Sequence, residues 1–309
     1  MGFLLENSII DVINKYNKIF FGKKNVMGLG LGFKTTKSII TEEPSLHVLV
    51  KEKLPLNKLY KQDLIPSNFL GLKTDVIEVG DFNFNSSNIT PSAPPLPSAP
   101  PLPSAPPLPS APPLQSESYY HPPFLGSKIR PLKAGYSISP ANRNTAGSIG
   151  AIVFDNYDNR PYILSNNHVL CDFNSLPIGT PIIQPGNADY SGEPVAKLSR
   201  YVYMSVDNPL FPIFPNHVDC AIAEIFPNIE YTTEIDFVGK VQGTIDATLN
   251  MKLLKIGRTT GVTEGIITTI NALIKLQTPL GICTFANIIG ADSLSQINSY
   301  TNKKLIKNI

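Results

Sequence analysis

The sequence predicts a mainly β protein that begins with a small α+β segment. Three observations support this fold class: a helical spacing of apolar residues close to the N-terminus, a proline-rich repeat that divides the chain, and short apolar runs bounded by Gly, Pro, Asn and Asp in the part that follows. At 309 residues with 42% hydrophobic residues, the chain is long enough for two domains with cores of their own. We therefore expect an N-terminal unit, a linker and a larger β domain.

The N-terminal unit is predicted to span residues 1–85 and to combine one helix with short strands. Apolar residues recur at steps of three and four, as in an amphipathic helix, at Leu5, Ile9, Val12, Ile13, Tyr16 and Phe20. The runs 25–33 and 46–50 predict strands of a small sheet. Their alternating glycines, Gly28, Gly30 and Gly32, could indicate a nucleotide-binding loop. The second helix and the acidic ribose ligand of such a loop are missing, however, so bulges or close packing are the favoured explanation.

The linker is predicted over residues 86–125. The hexapeptide Pro-Ser-Ala-Pro-Pro-Leu occurs there four times in tandem, starting at Pro91, Pro97, Pro103 and Pro109. Proline fixes φ and lacks a backbone donor, so the segment is expected to be an extended spacer of about 3.1 Å per residue. The same repeat has the spacing of PxxP ligands for a proline-rich-motif binding partner. Because no arginines flank the repeat, the plain spacer is the favoured interpretation.

Residues 126–309 are predicted to form an all-β barrel or sandwich. Short β-rich runs occur at residues 150–154, 162–164, 181–183, 220–223 and 265–268. Turn residues separate these runs, and no helical periodicity of comparable strength is present.

Composition and charge argue against two classes of partner. The net charge of +2 and the pI of about 8.3 provide no basic surplus for binding a nucleic-acid backbone. No run of about 18 apolar residues is present, so no membrane-spanning helix is expected. The N-terminus also lacks the basic and apolar regions of a signal peptide, which predicts a cytoplasmic protein.

The cysteines are predicted to be reduced, mostly buried thiols. Cys171, Cys220 and Cys283 are an odd and sparse set for a chain of this length, which does not indicate a disulfide framework. No pair of them shows zinc-ligand spacing with a histidine. We therefore expect neither a metal nor an organic cofactor.

Four histidines are present, and three of them have ordinary explanations. His47 alternates within a strand-like run and is expected to be a half-buried packing residue. His121 lies beside prolines at the linker exit and is expected to be solvated. His217 lies two residues before Asp219, which makes a local contact between the two conceivable, although the neighbouring prolines favour a loop.

His168 is the strongest candidate for chemistry. It follows the turn signal Asn166-Asn167 at the end of an apolar run, which places an imidazole at a strand-to-loop junction. Asp219 precedes another apolar run, and a nucleophilic hydrolase needs such a carboxylate to hold the imidazole tautomer. The alternative is a strand-capping Asp and a hydrogen-bonded structural His. From spacing alone, the two interpretations are equally favoured.

Three motifs occur in order along the chain: LSNNHVL at 164–170, VDCAIA at 218–223 and GRTTGVTEG at 257–265. Shorter matches accompany them at 28–34 (GLGLGFK), 73–80 (KTDVIEVG) and 184–186 (QPG). Together these segments resemble bacterial trypsin/chymotrypsin-like serine peptidases of a branch that carries an N-terminal extension. The resemblance covers most of the chain outside the proline-rich segment.

The resemblance implies a chymotrypsin-like double β-barrel with the active site between the barrels, and a peptide or protein as substrate. It makes His168 the general base and acid, Asp219 the residue that orients it, and Ser293 the nucleophile. Family members carry Gly-Gly-Asp-Ser-Gly-Ser at the nucleophile. Here Ala291 replaces a glycine whose N–H helps to form the oxyanion hole, and Leu294 replaces the glycine after the serine. The remainder after Ser293 is polar and then lysine-rich, so the second barrel is expected to be incomplete.

Three alternatives stay open on the sequence. The first is a catalytically inactive peptide-binding or scaffold protein on the same fold. The second uses Cys283, whose Gly-x-Cys segment resembles the nucleophile of viral cysteine peptidases, although its apolar neighbours favour a packed core thiol. The third is that the chain has no stable fold beyond Gly261.

Overall fold

The structure is a computed structural model that describes residues 2–82, 125–211, 214–293 and 305–306. Within these ranges the protein is mainly β, which confirms that part of the predicted fold class. The predicted linker, 86–125, lies outside the described residues except for Leu125. The predicted division at residues 85 and 126 therefore stays a prediction. None of the helices in the described ranges is long and apolar enough to cross a membrane.

The N-terminal segment begins with helix α1 (Gly2–Phe21), which confirms the predicted amphipathic helix. One side of this helix is buried, through Ile9, Val12, Ile13 and Phe20. The strands that follow are β1 (Val26–Thr36), β2 (Ile39–Val50), β3 (Asn68–Phe69) and β4 (Leu72–Glu78), and two 3₁₀ turns, Leu56–Lys58 and Lys61–Asp63, connect β2 to β3. β1 and β2 form an antiparallel hairpin, and β4 pairs with β2 in parallel.

The next strands form a seven-stranded sheet of their own. They are β5 (Ser137–Pro140), β6 (Gly147–Ser148), β7 (Ala151–Phe154), β8 (Pro161–Ser165), β9 (Pro181–Gln184), β10 (Glu193–Tyr201) and β11 (Ala221–Ile225). Their order in the sheet is β6-β5-β9-β10-β11-β8-β7. The two outer strands, β6 and β7, are joined along the chain by Ile149 and Gly150, whose main-chain N–H groups donate to the main-chain oxygens of Tyr136 and Leu164. Ile138, Ile163 and Leu198 are among the buried apolar residues of this sheet.

The remaining strands form a second sheet and a small hairpin. They are β12 (Glu234–Ile235), β13 (Gly239–Lys240), β14 (Lys252–Gly257), β15 (Gly261–Thr278), β16 (Gly281–Ser293) and β17 (Leu305–Ile306). β12 pairs with β13. The larger sheet has the order β17-β16-β15-β1-β2-β4-β3, with β14 also paired to β15. The described strands extend well beyond Gly261, while the third alternative, which concerns stability, stays a prediction.

The N-terminal strands do not form a small sheet of their own, and this corrects the prediction made for residues 25–33 and 46–50. β1 lies between β2 and β15 and hydrogen-bonds to both. The larger sheet therefore combines strands from the two ends of the chain. Local patterns predicted the strands, but a pairing between segments so distant in the sequence leaves no local signal.

The alternating glycines of β1 allow this close approach, as their interpretation as packing residues predicts. Gly30 faces β15 so closely that a Cβ atom there would lie 2.3 Å from Cγ2 of Thr269. A Cβ at Gly32 would lie 2.0 Å from the His47 ring. Leu29 and Leu31, on the opposite face, are buried in the core that contains α1.

Candidate active site

His168 lies on a one-turn helix, α2 (Asn167–Leu170), which follows directly after β8. The sequence predicted a strand-to-loop junction here, and the difference is that the loop begins with this helical turn. Asn166 precedes the turn in extended conformation, and its Nδ2 donates to the main-chain oxygen of Asp219 at 2.9 Å. The residue before His168 in the helix, Asn167, is fully buried. The helix is therefore anchored by the two residues that precede the histidine.

Asn167 ties the helix to two neighbouring segments. Its Nδ2 donates to the side-chain oxygen of Asn174 and to the main-chain oxygen of Val202, both at 2.8 Å. Its Oδ1 accepts the main-chain N–H of Asn174 at 3.0 Å. The side-chain amide of Asn174 in turn bonds twice to the main chain of Met204: Nδ2 donates to its oxygen, and Oδ1 accepts from its N–H. The sequence showed Asn167 only as a turn signal, and its anchoring role was not predicted.

The structure brings His168 and Asp219 together. Nδ1 of His168 is within hydrogen-bonding distance of Oδ2 of Asp219, and the main-chain N–H of His168 donates to Oδ1 at 3.2 Å. The Asp219 side chain is only 1% exposed, whereas that of His168 is 22% exposed. Since an ionised carboxylate only accepts, the proton of this bond lies on Nδ1 and the lone pair of the neutral ring on Nε2. The contact considered between His217 and Asp219 is not among the described contacts of either residue, and Nδ1 of His217 lies instead 3.5 Å from Asn287.

A buried aromatic side chain, Phe173, lies beside the imidazole of His168. The ring of Phe173 lies 5.8 Å from the His168 ring, between centroids, at an interplanar angle of 33°. Phe173 is buried in an apolar cluster that includes Met204 and Phe285. It occupies the left-handed region with φ 55°, as do Asp172 and Asn174 on either side, with φ 46° and 67°. Such a conformation costs energy for residues other than glycine, and the Asn167 contacts hold it in place.

The structure describes the main chain of Ser293 but not its side chain. Ser293 ends β16, where it pairs with Gly265 of β15, and Ala291 pairs with Ile267. The segment therefore continues a regular ladder up to the predicted nucleophile. Whether its hydroxyl reaches His168 lies outside the described residues, and the role of Ser293 stays a prediction.

A buried ion pair fixes the turn between β14 and β15 to the part of the chain that contains the seven-stranded sheet. The guanidinium of Arg258 spans both carboxylate oxygens of Asp189, and the two side chains are 11% and 1% exposed. The carboxylate also accepts from the Ser137 hydroxyl at 2.6 Å, and the main-chain N–H of Arg258 donates to Oγ of Ser148 at 2.9 Å. The Gly-Arg-Thr-Thr-Gly motif included Arg258, but nothing in the sequence identified Asp189 as its partner.

His47 lies in β2, and it is more buried than predicted. The residue is 3% exposed, and its ring bonds on both sides, to Oγ1 of Thr269 at 2.9 Å and to the main-chain oxygen of Phe33 at 3.1 Å. His121 lies outside the described residues. No group of three or more His, Cys, Asp or Glu side chains in the described ranges is arranged to hold a metal ion.

The three cysteines are free thiols, as predicted. Burial raises the pKa of each thiol, and at Cys220 the neighbouring Asp219 carboxylate raises it further. Cys283 is fully buried in the same cluster as Phe173, with its sulfur 3.6 Å from Oγ1 of Thr278. A thiol with a raised pKa and no exposure is a poor nucleophile, which argues against the Cys283 alternative.

We expect all three thiols to react slowly with a disulfide reagent near pH 8 in the native protein, because a raised pKa leaves little thiolate at that pH. In denaturant all three are expected to react fast. Asp219→Asn removes the neighbouring charge and should accelerate Cys220 while leaving Cys171 unchanged. Absorbance of the released thiolate, with peptide mapping, measures each rate. Equal acceleration of Cys171 would indicate loss of structure and contradict this charge effect.

No protein-family model matches the chain, and no curated protein sequence matches it. Among solved structures, the chain is similar to a glutamic-acid-specific serine protease, with 16% identity and a TM-score of 0.35 over 56% of this chain and 76% of that one. It is also similar to a Nocardiopsis protease, with 18% identity and a TM-score of 0.35 over 52% of this chain and 70% of that one. Similarity to Thermobifida fusca protease A has 16% identity and a TM-score of 0.35 over 56% of this chain and 78% of that one. Identity and TM-score are both low, so function has to be inferred from the side chains of the chain itself.

Proposed function

We propose that the protein is a serine-type endopeptidase that hydrolyses peptide bonds with His168, Asp219 and Ser293. The observation that supports this proposal is the His168–Asp219 pair. A nearly fully buried carboxylate bonds to both the ring and the main-chain N–H of one partly exposed histidine. A carboxylate in this position fixes the orientation and tautomer of a general base. The substrate is a peptide or protein, and the proposal needs no cofactor.

In the proposed reaction, Nε2 of His168 takes the proton of the Ser293 hydroxyl as its oxygen bonds to the peptide carbonyl carbon. The Asp219 carboxylate stabilises the imidazolium that forms. His168 then returns the proton to the leaving amine as the C–N bond breaks, which leaves an acyl group on Ser293. Water, deprotonated by the same nitrogen, releases the acid and restores the serine. The Phe173 ring lies beside the imidazole, 5.8 Å away between ring centroids.

The decisive experiment is labelling of the folded protein with a fluorophosphonate, which reacts only with an activated serine. We expect one label at Ser293, its loss in Ser293→Ala and a strong reduction in His168→Ala. Ser205→Ala is a matched control, because Ser205 is exposed. Absence of labelling in the folded wild type would exclude an active enzyme. A label that survives in Ser293→Ala would place the nucleophile elsewhere.

A second candidate is a catalytically inactive peptide-binding protein on the same fold. The observation in its favour is the ladder that carries Ser293, where Ala291 and Ser293 pair with Ile267 and Gly265. An activated serine normally sits in a turn whose N–H groups point at the substrate rather than into a sheet. Unlabelled protein that still binds peptides, by fluorescence anisotropy, would support this candidate over the first.

A further inference from the structure

We propose that the N-terminal part of the chain (residues 2–82) and the C-terminal part (from residue 125 onward) form a stable non-covalent pair. Cutting the chain within residues 83–124 would then give a two-chain protein instead of a released N-terminal fragment. The contact surface is the β1–β15 seam, which comprises residues 28–32 of β1 and 269–274 of β15. The proposal does not depend on peptidase activity.

Hydrogen bonds along the seam complete the sheet. One edge of β15 pairs first with β14, over residues 261–266, and then with β1, over residues 269–274. The pairs at the two ends of the seam are Gly28 with Ile274 and Gly32 with Thr269. Without the N-terminal part, this stretch of β15 would be an open strand edge, which is a template for pairing with other chains. The N-terminal part covers that edge.

Apolar packing joins the two parts on both faces of the sheet. On one face, Leu49, Ile77 and Phe82 belong to the same buried cluster as Ile274 and Phe285. On the other face, Leu273 of β15 is buried in the core formed by α1, β1 and β2. Burial on both faces is typical of the interior of a domain and unlike a surface contact between independent units.

A buried polar contact makes the seam specific. Because the main-chain oxygen of Phe33 can only accept, Nε2 of His47 donates to it, and Nδ1 accepts from the Thr269 hydroxyl. His47 belongs to one part and Thr269 to the other. Gly30 adds a steric requirement, because only glycine leaves room for the Thr269 methyl group. The lysine ammonium of Lys275 also lies 4.5 Å from the ring centroid of Phe21.

The seam contacts lie outside the segment that links the two parts. Phe82 and Leu125, the last and first described residues on either side of it, are both buried, and Phe82 packs in the cluster that joins the two parts. A covalent connection between two parts contributes only an effective concentration to their association. The contacts of the seam must therefore supply the affinity once the connection is cut.

The test uses the full chain with a recognition sequence for a site-specific protease inserted between Leu102 and Pro103, at a boundary between repeats. After cleavage, size-exclusion chromatography and native mass spectrometry at about 1 µM should show one particle that contains both fragments. Elution as two separate fragments at this concentration would overturn the proposal.

Two matched variants test whether the seam carries the association. Gly30→Val places a side chain against Thr269, whereas Gly243→Val adds the same side chain where nothing lies within 4 Å. After cleavage we expect the Kd between the two fragments to be at least tenfold higher in Gly30→Val than in the wild type. In Gly243→Val this Kd should equal that of the wild type. Equal affinity of the two would overturn the assignment of the seam. If Gly30→Val does not fold before cleavage, Thr269→Val replaces it, with faster dissociation expected and an unchanged rate counting against the proposal.

Discussion

Asp219→Asn is expected to lower the rate of peptide hydrolysis and of fluorophosphonate labelling by about 10⁴-fold. An amide at this position can donate a hydrogen bond to Nδ1, which moves the ring proton to Nε2 and removes the lone pair that acts as the base. The geometry would be nearly unchanged, because asparagine has the same shape and its side-chain oxygen can still accept from the main-chain N–H of His168.

A second measurement makes this prediction independent of turnover. The Nδ1 proton of His168, held between the ring and the buried carboxylate, should give a proton NMR resonance far downfield, and Asp219→Asn should abolish it. Asp246→Asn is the matched control, because Asp246 is exposed. A rate within tenfold of wild type in Asp219→Asn, with the downfield resonance lost, would show that the pair has no catalytic role.

Breaking the buried pair between Arg258 and Asp189 is expected to destabilise the protein by about 3–5 kcal/mol, because the remaining charge is left without a partner away from water. Arg258→Met leaves the Asp189 carboxylate with only the Ser137 hydroxyl as donor among the described contacts of that carboxylate. Urea denaturation, followed by circular dichroism, measures the free energy of unfolding.

The double variant Arg258→Met with Asp189→Leu separates the charge effect from the loss of contacts. It should be less destabilised than either single variant, since no charge is left buried. Lys15→Met is the control, because the Lys15–Asp11 pair is 64% exposed on both sides and should change stability little. A double variant that loses as much stability as the two single variants combined would contradict a buried-charge origin.

The sequence predicted the elements of the fold better than their arrangement. The spacing of apolar residues predicted α1, and short apolar runs predicted β7, β8 and β9 to within a few residues. Those signals are local, since they depend on which face of one element is buried. The pairing of β1 with β15 depends instead on the steric fit between Gly30 and Thr269, and neither residue identifies the other in the sequence.

The candidate site shows the same division. His168 and Asp219 lie in motifs that predicted their proximity, and the structure places them in contact. Phe173 and Asp189 were not predicted. Phe173 and its two neighbours in the sequence adopt positive φ, a conformation for which these residue types give only a weak signal. Asp189 pairs with Arg258, which lies in the turn between β14 and β15, far from it in the sequence.

The glycines of β1 also determine which alignments of the sheet are possible. A shift of β1 by one residue along β15 would turn Leu29 and Leu31 towards Thr269 and the His47 ring, where not even a single Cβ atom fits. The same shift would turn the glycines of β1 towards α1, so the apolar side of α1 would lose its contacts with Leu29 and Leu31. Misaligned pairings are thus penalised on both faces at once, so that the strand can dock correctly even though its partner is synthesised long after it.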